Sequence, residues 1–319
     1  MSDAVLVLRA LGLGDLLVAV PALRGLRRAH PDARTVLAAP HQLTEVVELI
    51  DAVDELLPTP GLGALHWPGE PPEVAVNLHG RGPESIRDLR ATRPGTLLTH
   101  RHPDFPDLPG PEWVEDQHEV RRWCRLLEHF GIAADPADLH LPAPPGPSPA
   151  PGAVVVHPGA AQPARRWPAE RFAGVARALA AAGHRVVVTG NAAEADLARD
   201  VARRAGLPED VVLAGRLGLA ELVALLARAT LLVAADTGVG HLATAMRTPS
   251  VLLFGPVSPR QWGPPEGERR HVALWAGEPA DPFADAPAPG LLRLTEDDVL
   301  AAVRQLAEEG LLARRDGRE

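Results

Sequence analysis

The sequence predicts an α/β protein made of two doubly wound parallel sheets in tandem, and three observations carry that prediction. The 319 residues exceed the size at which a single hydrophobic core keeps growing, so two domains are expected. The run "PAPPGPSPAPG", Pro142 to Gly152, can continue neither a helix nor a central strand, and it parts halves of similar size. An ordered surface loop inside one domain is the alternative for that run. Beyond it, short continuous apolar runs alternate with segments of helical spacing, the pattern of parallel strands covered on both faces. The domains are therefore read as 1–145 and 146–319.

The first half opens with the strand-like "AVLVLRA" (4–10), a glycine turn and a helical region reaching about Ala29. Pro21 lies inside that region, where it forces a kink or a restart. "RTVLAAP" and "EVAVNLHG" (73–80) read as further strands, and "EDQHEVRRWCRLLEHFG" (115–131) as an amphipathic helix. "HRH" (100–102) sits in a proline-rich stretch and is taken as solvent-exposed. In the second half "AVVVHPG" (153–159) is a strand and "PAERFAGVARALAAAG" (168–183) a helix that closes on Gly183. "HRVVVTG" (184–190), "DVVLAG" (210–215), "TLLVAAD" (230–236) and "SVLLFG" (250–255) are strands. Helices fill the intervals between them. The last helix, within 295–310, has a Thr cap and an acidic first turn, and ends at Gly310. Its residues 295–309 are free to pack back on the first domain.

Composition narrows the function. Hydrophobic residues make up 46%, enough for a sizeable core, and no apolar run approaches the ~18 residues of a membrane span. The N-terminus reads as a first strand rather than a signal peptide, so a cytoplasmic protein is expected. One cysteine, Cys124, rules out a disulfide framework and a Cys-based metal site. The net charge of −9 argues against a nucleic-acid partner. Every basic residue is arginine, and neither lysine nor tyrosine occurs, as codon bias in a GC-rich genome would produce. A site that commonly uses lysine must use arginine here.

Open α/β sheets bind ligands at the carboxyl ends of their strands, and four such junctions carry polar chemistry. At "RALGLGDLLVAVPAL", Gly12 and Gly14 begin like a dinucleotide fingerprint, but Leu17 occupies the third glycine position. Asp15 there either accepts a proton from a bound hydroxyl or complements a helix dipole. At "HPGAAQPARRWPAERF", Gly159 admits a close backbone approach, and Arg165 with Arg166 suits an anion, against the reading of two solvated arginines. Trp167 reads as packing. At "VVVTGNAAEADLA", Glu194 either binds ribose hydroxyls or serves the helix start. At "ADTGVGHLA", Thr237, Gly238 and Gly240 leave helix N–H groups open to a phosphate, with His241 in the first turn. Asp236 as a cap and His241 as a core histidine are the alternatives. No C-x-x-C, H-E-x-x-H, G-x-S-x-G, P-loop or D-x-D pattern is present, so the expected ligand is a diphosphate held without a metal.

Taken together, the ordered set of motifs resembles glycosyltransferase family 9, the ADP-heptose heptosyltransferases. The matching stretches are "GLGDLLVAVPAL", "VVVHPGAAQPARRWPAERF", "VVVTGNAAEADLA", "LAGRLGLAELVALLARATLLVAADTGVGHLATAM" and "PSVLLFGPVSPRQWGP". "VAVNLHGRGPES" and "HEVRRWCRLL" match loosely. The resemblance implies a GT-B fold: two Rossmann-like domains facing a central cleft, the first binding acceptor and the second nucleotide-sugar. It implies inverting transfer of a sugar, a heptose, from an ADP-sugar to a glycan, glycolipid or natural-product acceptor, with no metal or other cofactor. Asp15 matches the general base. Gly14, Gly159, Arg165, Arg166, Glu194, Asp236, Thr237, Gly238 and His241 fall on the donor side. Asn77, His79 and Arg121 fall on the acceptor side. Arg165 stands at a lysine position of the family, which keeps the charge but cannot give up its proton. A nucleotide-sugar epimerase of the same fold and a non-catalytic nucleotide-sugar-binding protein are the alternatives.

Overall fold

The computed structural model describes residues 2–312. The chain divides into two compact units between Leu141 and Pro142, at the head of the proline-rich run and a few residues ahead of the expected boundary.

The first unit runs β1 (Ser2–Leu8), α1 (Leu13–Val18), α2 (Val20–Ala29), β2 (Arg34–Ala39), α3 (Thr44–Ile50), β3 (Glu55–Pro58), β4 (Pro72–Asn77), α4 (Glu84–Ala91), β5 (Thr96–Leu98) and α5 (Glu119–His129). Its parallel sheet has the order β3-β2-β1-β4-β5. Val5 to Leu8 of β1 are buried on both faces, as a central parallel strand must be. The first helical region breaks at Ala19, and Pro21 sits in the first turn of α2, where its missing N–H deprives no helical bond. Pro21 therefore marks a restart. His100 and His102 are buried, which corrects the exposed reading of "HRH". The loop after β5 folds inward, and His100 packs edge-on against Trp113 and Trp123. Burial lowers the His100 pKa to about 3, with Arg122 adding to the effect, so this imidazole is neutral.

The second unit runs β6 (Val154–His157), α6 (Ala169–Ala181), β7 (Val186–Val188), α7 (Ala195–Ala205), α8 (Leu219–Ala227), β8 (Leu231–Ala235), α9 (Gly238–Ala245), β9 (Ser250–Phe254), α10 (Pro259–Trp262), β10 (His271–Trp275), α11 (Pro289–Arg293) and α12 (Glu296–Glu308). Its parallel sheet has the order β10-β9-β8-β6-β7. "DVVLAG" is corrected from a strand to a 3-10 turn and one parallel bridge, Val188 to Val212. Val212 still enters the core, so the apolar signal was real while the pairing is a single residue long. The fifth strand is instead β10. Trp167 packs edge-on against Phe172 inside the core and donates its indole N–H to the Leu294 carbonyl at 3.1 Å.

Thr295 caps α12 in a reciprocal capping box with Asp298. The buried face of this helix, Val299, Ala302, Val303 and Leu306, belongs to the core of the second unit and packs on α6, β9 and β10. The apolar stripe expected to return to the first unit is used within the second.

Candidate functional site

Both sheets present their strand carboxyl ends to loops that carry the charged groups. In the second unit, β8 ends at Ala235 and the next residue, Asp236, is buried, its backbone N–H held by Leu253 on β9 at 3.0 Å. From the loop after β6, a 3-10 turn at Pro163–Arg165 delivers Arg165, whose Nη1 lies 3.3 Å from Asp236 Oδ2. Thr237 stands at the N-cap of α9 with extended backbone and makes no side-chain cap; its Oγ1 is buried without a hydrogen-bond partner. The first-turn amides at Gly238 and Val239 have no partner inside the helix by geometry, and the helix dipole adds positive potential there. His241 stacks edge-on against Trp262 of α10, with ring centroids 5.9 Å apart. Asp236, Thr237, Gly240, His241 and Trp262 line one small recess. A guanidinium and a helix N-terminus at one strand edge are groups of the kind that attract an anion.

Glu194 follows β7, two strands from β8 across the sheet. It joins Asn191 in a capping box: Asn191 N–H donates to Glu194 Oε2 at 2.8 Å, and Glu194 N–H donates to Asn191 Oδ1 at 3.1 Å. Its carboxylate rests on Gly159, where a Cβ would come within 2.2 Å of it. Gly159 and Glu194 are thus brought together by the absence of a side chain. Gly159→Ala must push the carboxylate away and break the Asn191 contact. If this site takes the nucleotide as the resemblance implies, ADP binding by calorimetry should weaken with little change in thermal stability, because the clash falls on the far end of a flexible side chain. Unchanged ADP affinity would remove Glu194 from the site.

His157 ends β6 between these groups. Its Nδ1 is 3.0 Å from Thr189 Oγ1, and burial lowers its pKa against the raising effect of Glu194. Arg166, by contrast, is exposed and its Nε donates to the Ala160 carbonyl at 3.0 Å. It braces the loop that carries Arg165 and does not join Asp236.

In the first unit, Gly14 and Asp15 sit in the first turn of α1 after the Gly12 N-cap. Arg9, one residue past β1, reaches Asp15 twice: Nε donates to its backbone carbonyl at 2.8 Å, and Nη2 lies 3.4 Å from Oδ1. Arg9 Nη1 also donates to the Leu78 carbonyl beyond β4. Arg9 is 1% exposed and its guanidinium lies 4.8 Å from the Trp123 ring centroid, while the Asp15 side chain is 31% exposed. His79 is half-buried nearby; burial and the Arg9 charge lower its pKa.

The other two acceptor-side residues differ in their surroundings. Asn77 is fully buried and its amide donates to Gly80 O, Ser85 Oγ and Thr99 Oγ1 while its oxygen accepts from His79 N–H. It shapes the loop after β4. Arg121 is exposed on α5, whereas its neighbour Arg122 is buried, paired with Glu119 at 2.7 Å and stacked on Trp113 at 3.8 Å. Helical phase turns one inward and the other out. The sequence reading also missed Arg9, His157 and Trp262. An arginine closing a buried apolar strand was the available signal for Arg9, and a histidine in the same position was the signal for His157. Trp262 gave none.

No helix among the described residues is long and apolar enough to cross a membrane. Among them, too, no three His, Cys, Asp or Glu side chains gather as a metal centre.

Fold and strand-edge chemistry together describe a two-unit α/β protein whose second sheet carries charged groups at its strand ends. The sequence model of glycosyltransferase family 9 (heptosyltransferase) matches residues 112–285, more than half the chain. The chain belongs to that family. Curated relatives include lipooligosaccharide heptosyltransferase 2 of Haemophilus influenzae, 37% identical over 121 residues covering 36% of this chain and 34% of that protein. Lipopolysaccharide heptosyltransferase 3 of Escherichia coli is 33% identical over 159 residues, covering 48% of this chain and 46% of that protein. The chain thus spans between about a third and a half of the length of these relatives. Among solved structures, a family 9 glycosyltransferase from Veillonella parvula superposes with a TM-score of 0.80 at 22% identity, covering 97% of this chain and 98% of that one. E. coli ADP-heptose lps heptosyltransferase II gives 0.76 at 21%, covering 97% and 100%. These likenesses establish the GT-B fold.

Proposed function

We propose that the chain is an inverting glycosyltransferase that moves a sugar, a heptose, from an ADP-sugar to a hydroxyl of a glycan, glycolipid or natural-product acceptor. The observation that carries this reading is the second unit's strand edge, where Arg165, Asp236 and the α9 N-terminus stand together and Glu194 lies over Gly159. In the reading, Arg165 and the α9 amides meet the negative charge that grows on the leaving diphosphate. They take the part that a metal ion plays in other transferases, so transfer is expected to survive chelation. Gly159 lets the nucleotide approach the backbone, and Glu194 accepts from ribose hydroxyls. His241 and Asp236 hold the donor rather than move protons.

The first unit has the other task. Asp15 takes the proton of the acceptor hydroxyl as its oxygen attacks the anomeric carbon and ADP departs, inverting that centre. His79, neutral and beside Asp15, is the remaining acceptor-side candidate. Gly14 serves by keeping the α1 turn free of a side chain next to Asp15. The place of action we propose is the cytoplasm, with peripheral contact at a membrane when the acceptor is a glycolipid.

The test is ADP release from ADP-heptose with heptose-free lipooligosaccharide core as acceptor, preceded by a thermal-shift panel of nucleoside diphosphates and their sugars. Stabilisation by ADP and ADP-heptose, of about 2.7 kcal/mol at a hundred times Kd, is expected over UDP, GDP and dTDP compounds. Preference for another base overturns the donor assignment. Interconversion of the sugar-nucleotide without acceptor would place the chain with the epimerases instead.

A further inference from the structure

We propose that Arg9 is a positioning residue for Asp15, fixing both the backbone and the carboxylate of the proposed base; the inference rests on the reading of Asp15 given above.

The placement of Arg9 is costly unless it is used. It follows directly on an otherwise apolar buried strand, and removing a guanidinium from water carries a penalty of several kcal/mol in a protein interior. An aliphatic residue would fill the same space without that penalty. Instead, two of the three hydrogen bonds recorded for the guanidinium go to Asp15. Nε holds the Asp15 carbonyl, Nη2 faces Oδ1, and Nη1 ties the Leu78 carbonyl beyond β4. One planar fork therefore ties the first turn of α1 to the ends of β1 and its neighbour β4. The geometry needs Arg: a lysine supplies a point charge but not the fork.

The face of the guanidinium is fixed as well. Trp123 of α5 lies under it, Trp113 packs edge-on against Trp123 at 6.1 Å, and Arg122 covers Trp113 while pairing with Glu119. Arg9 and Arg122 thus flank the two indoles, and the cluster extends from Asp15 into the loop preceding α5. The carboxylate at its end stays part-exposed, held from behind and open in front.

The experiment compares Arg9→Met, Arg9→Lys and Asp15→Ala in the full chain. ADP release from ADP-heptose is followed with lipooligosaccharide core if that acceptor is used and with water otherwise, and active protein is counted by ADP-binding stoichiometry. R9M is expected to lose about a hundredfold in kcat, the cost of a misplaced group, with KM and ADP affinity nearly unchanged. R9K is expected to turn over faster than R9M because it restores the charge. A loss confined to KM, to ADP stoichiometry or to thermal stability would make Arg9 a structural pin and overturn the proposal. So would R9K at the wild-type rate, since the fork would then not be needed, or R9M near wild type while D15A is inactive. Should R9M fail to fold, R9K and Trp123→Leu, which removes the ring behind Arg9, carry the same kcat-against-KM comparison. Full turnover in D15A would instead refute the base reading itself, a result distinct from any of these.

Discussion

Asp15→Ala is expected to lower turnover by about 10²- to 10⁴-fold, the contribution a positioned general base makes, while ADP affinity stays within about twofold. Stopped assays of ADP release measure the first quantity and calorimetry the second. The two should separate because Asp15 belongs to the first unit, whereas the groups assigned to ADP belong to the second. The protein should fold. The Asp15 side chain is part-exposed, so its loss opens no buried cavity, and Arg9 keeps the Asp15 and Leu78 carbonyls. Asp15→Asn is the matched control, since it keeps the shape and removes the basic oxygen. His79 supplies the competing outcome. Burial and Arg9 hold its imidazole neutral, which suits a proton acceptor as well as a bystander. Should His79→Ala abolish turnover while D15A remains active, the base is His79, and Asp15 reverts to a residue that complements the α1 dipole.

How far the sequence could be read depended on the length of the signal. Strands with a continuous apolar run and a glycine or proline stop, such as β1, β6, β8 and β9, were legible, as were α6, set between Pro168 and Gly183, and α12 with its Thr295 cap. Edge strands β3 and β5 have four and three residues, too short for any period to show. The half-buried β10 mixes His271 and Trp275 with aliphatic residues and resembles a loop in composition. In the site, the sequence could place a residue at a junction but could not say where its side chain was used. Arg165 and Arg166 are identical by type and adjacent, yet one meets Asp236 and the other the Ala160 carbonyl. Asn77 and His79 sit two apart on one loop, and a buried network claims only the first. Which of two neighbours turns inward is settled by packing across the sheet, which one-dimensional spacing does not contain.

Arg165→Ala is expected to weaken ADP binding about ten- to a hundredfold, as the loss of about 1.5–3 kcal/mol of charged hydrogen bonding implies. Arg165 already has a counter-charge in Asp236, so a diphosphate must share the guanidinium with that carboxylate. The pair is unequal: Asp236 is buried with its side chain 4% exposed, and Arg165 is 28% exposed, presenting its outer edge to solvent. An anion can therefore reach the exposed edge while the inner edge stays on Asp236, which orients the fork. Removing Arg165 also leaves Asp236 without this partner. The stability cost should fall between the ~0–1 kcal/mol of an exposed pair and the ~3–5 of a buried one, readable as a lower Tm without ligand. Arg165→Lys separates the two roles. It restores a cation, so it should recover most of the ADP affinity, while its single ammonium cannot serve both Asp236 and the phosphate as a fork does. If R165A binds ADP as tightly as the native chain, the α9 N-terminus alone holds the diphosphate, and Arg165 is left as the ion-pair partner of a buried aspartate.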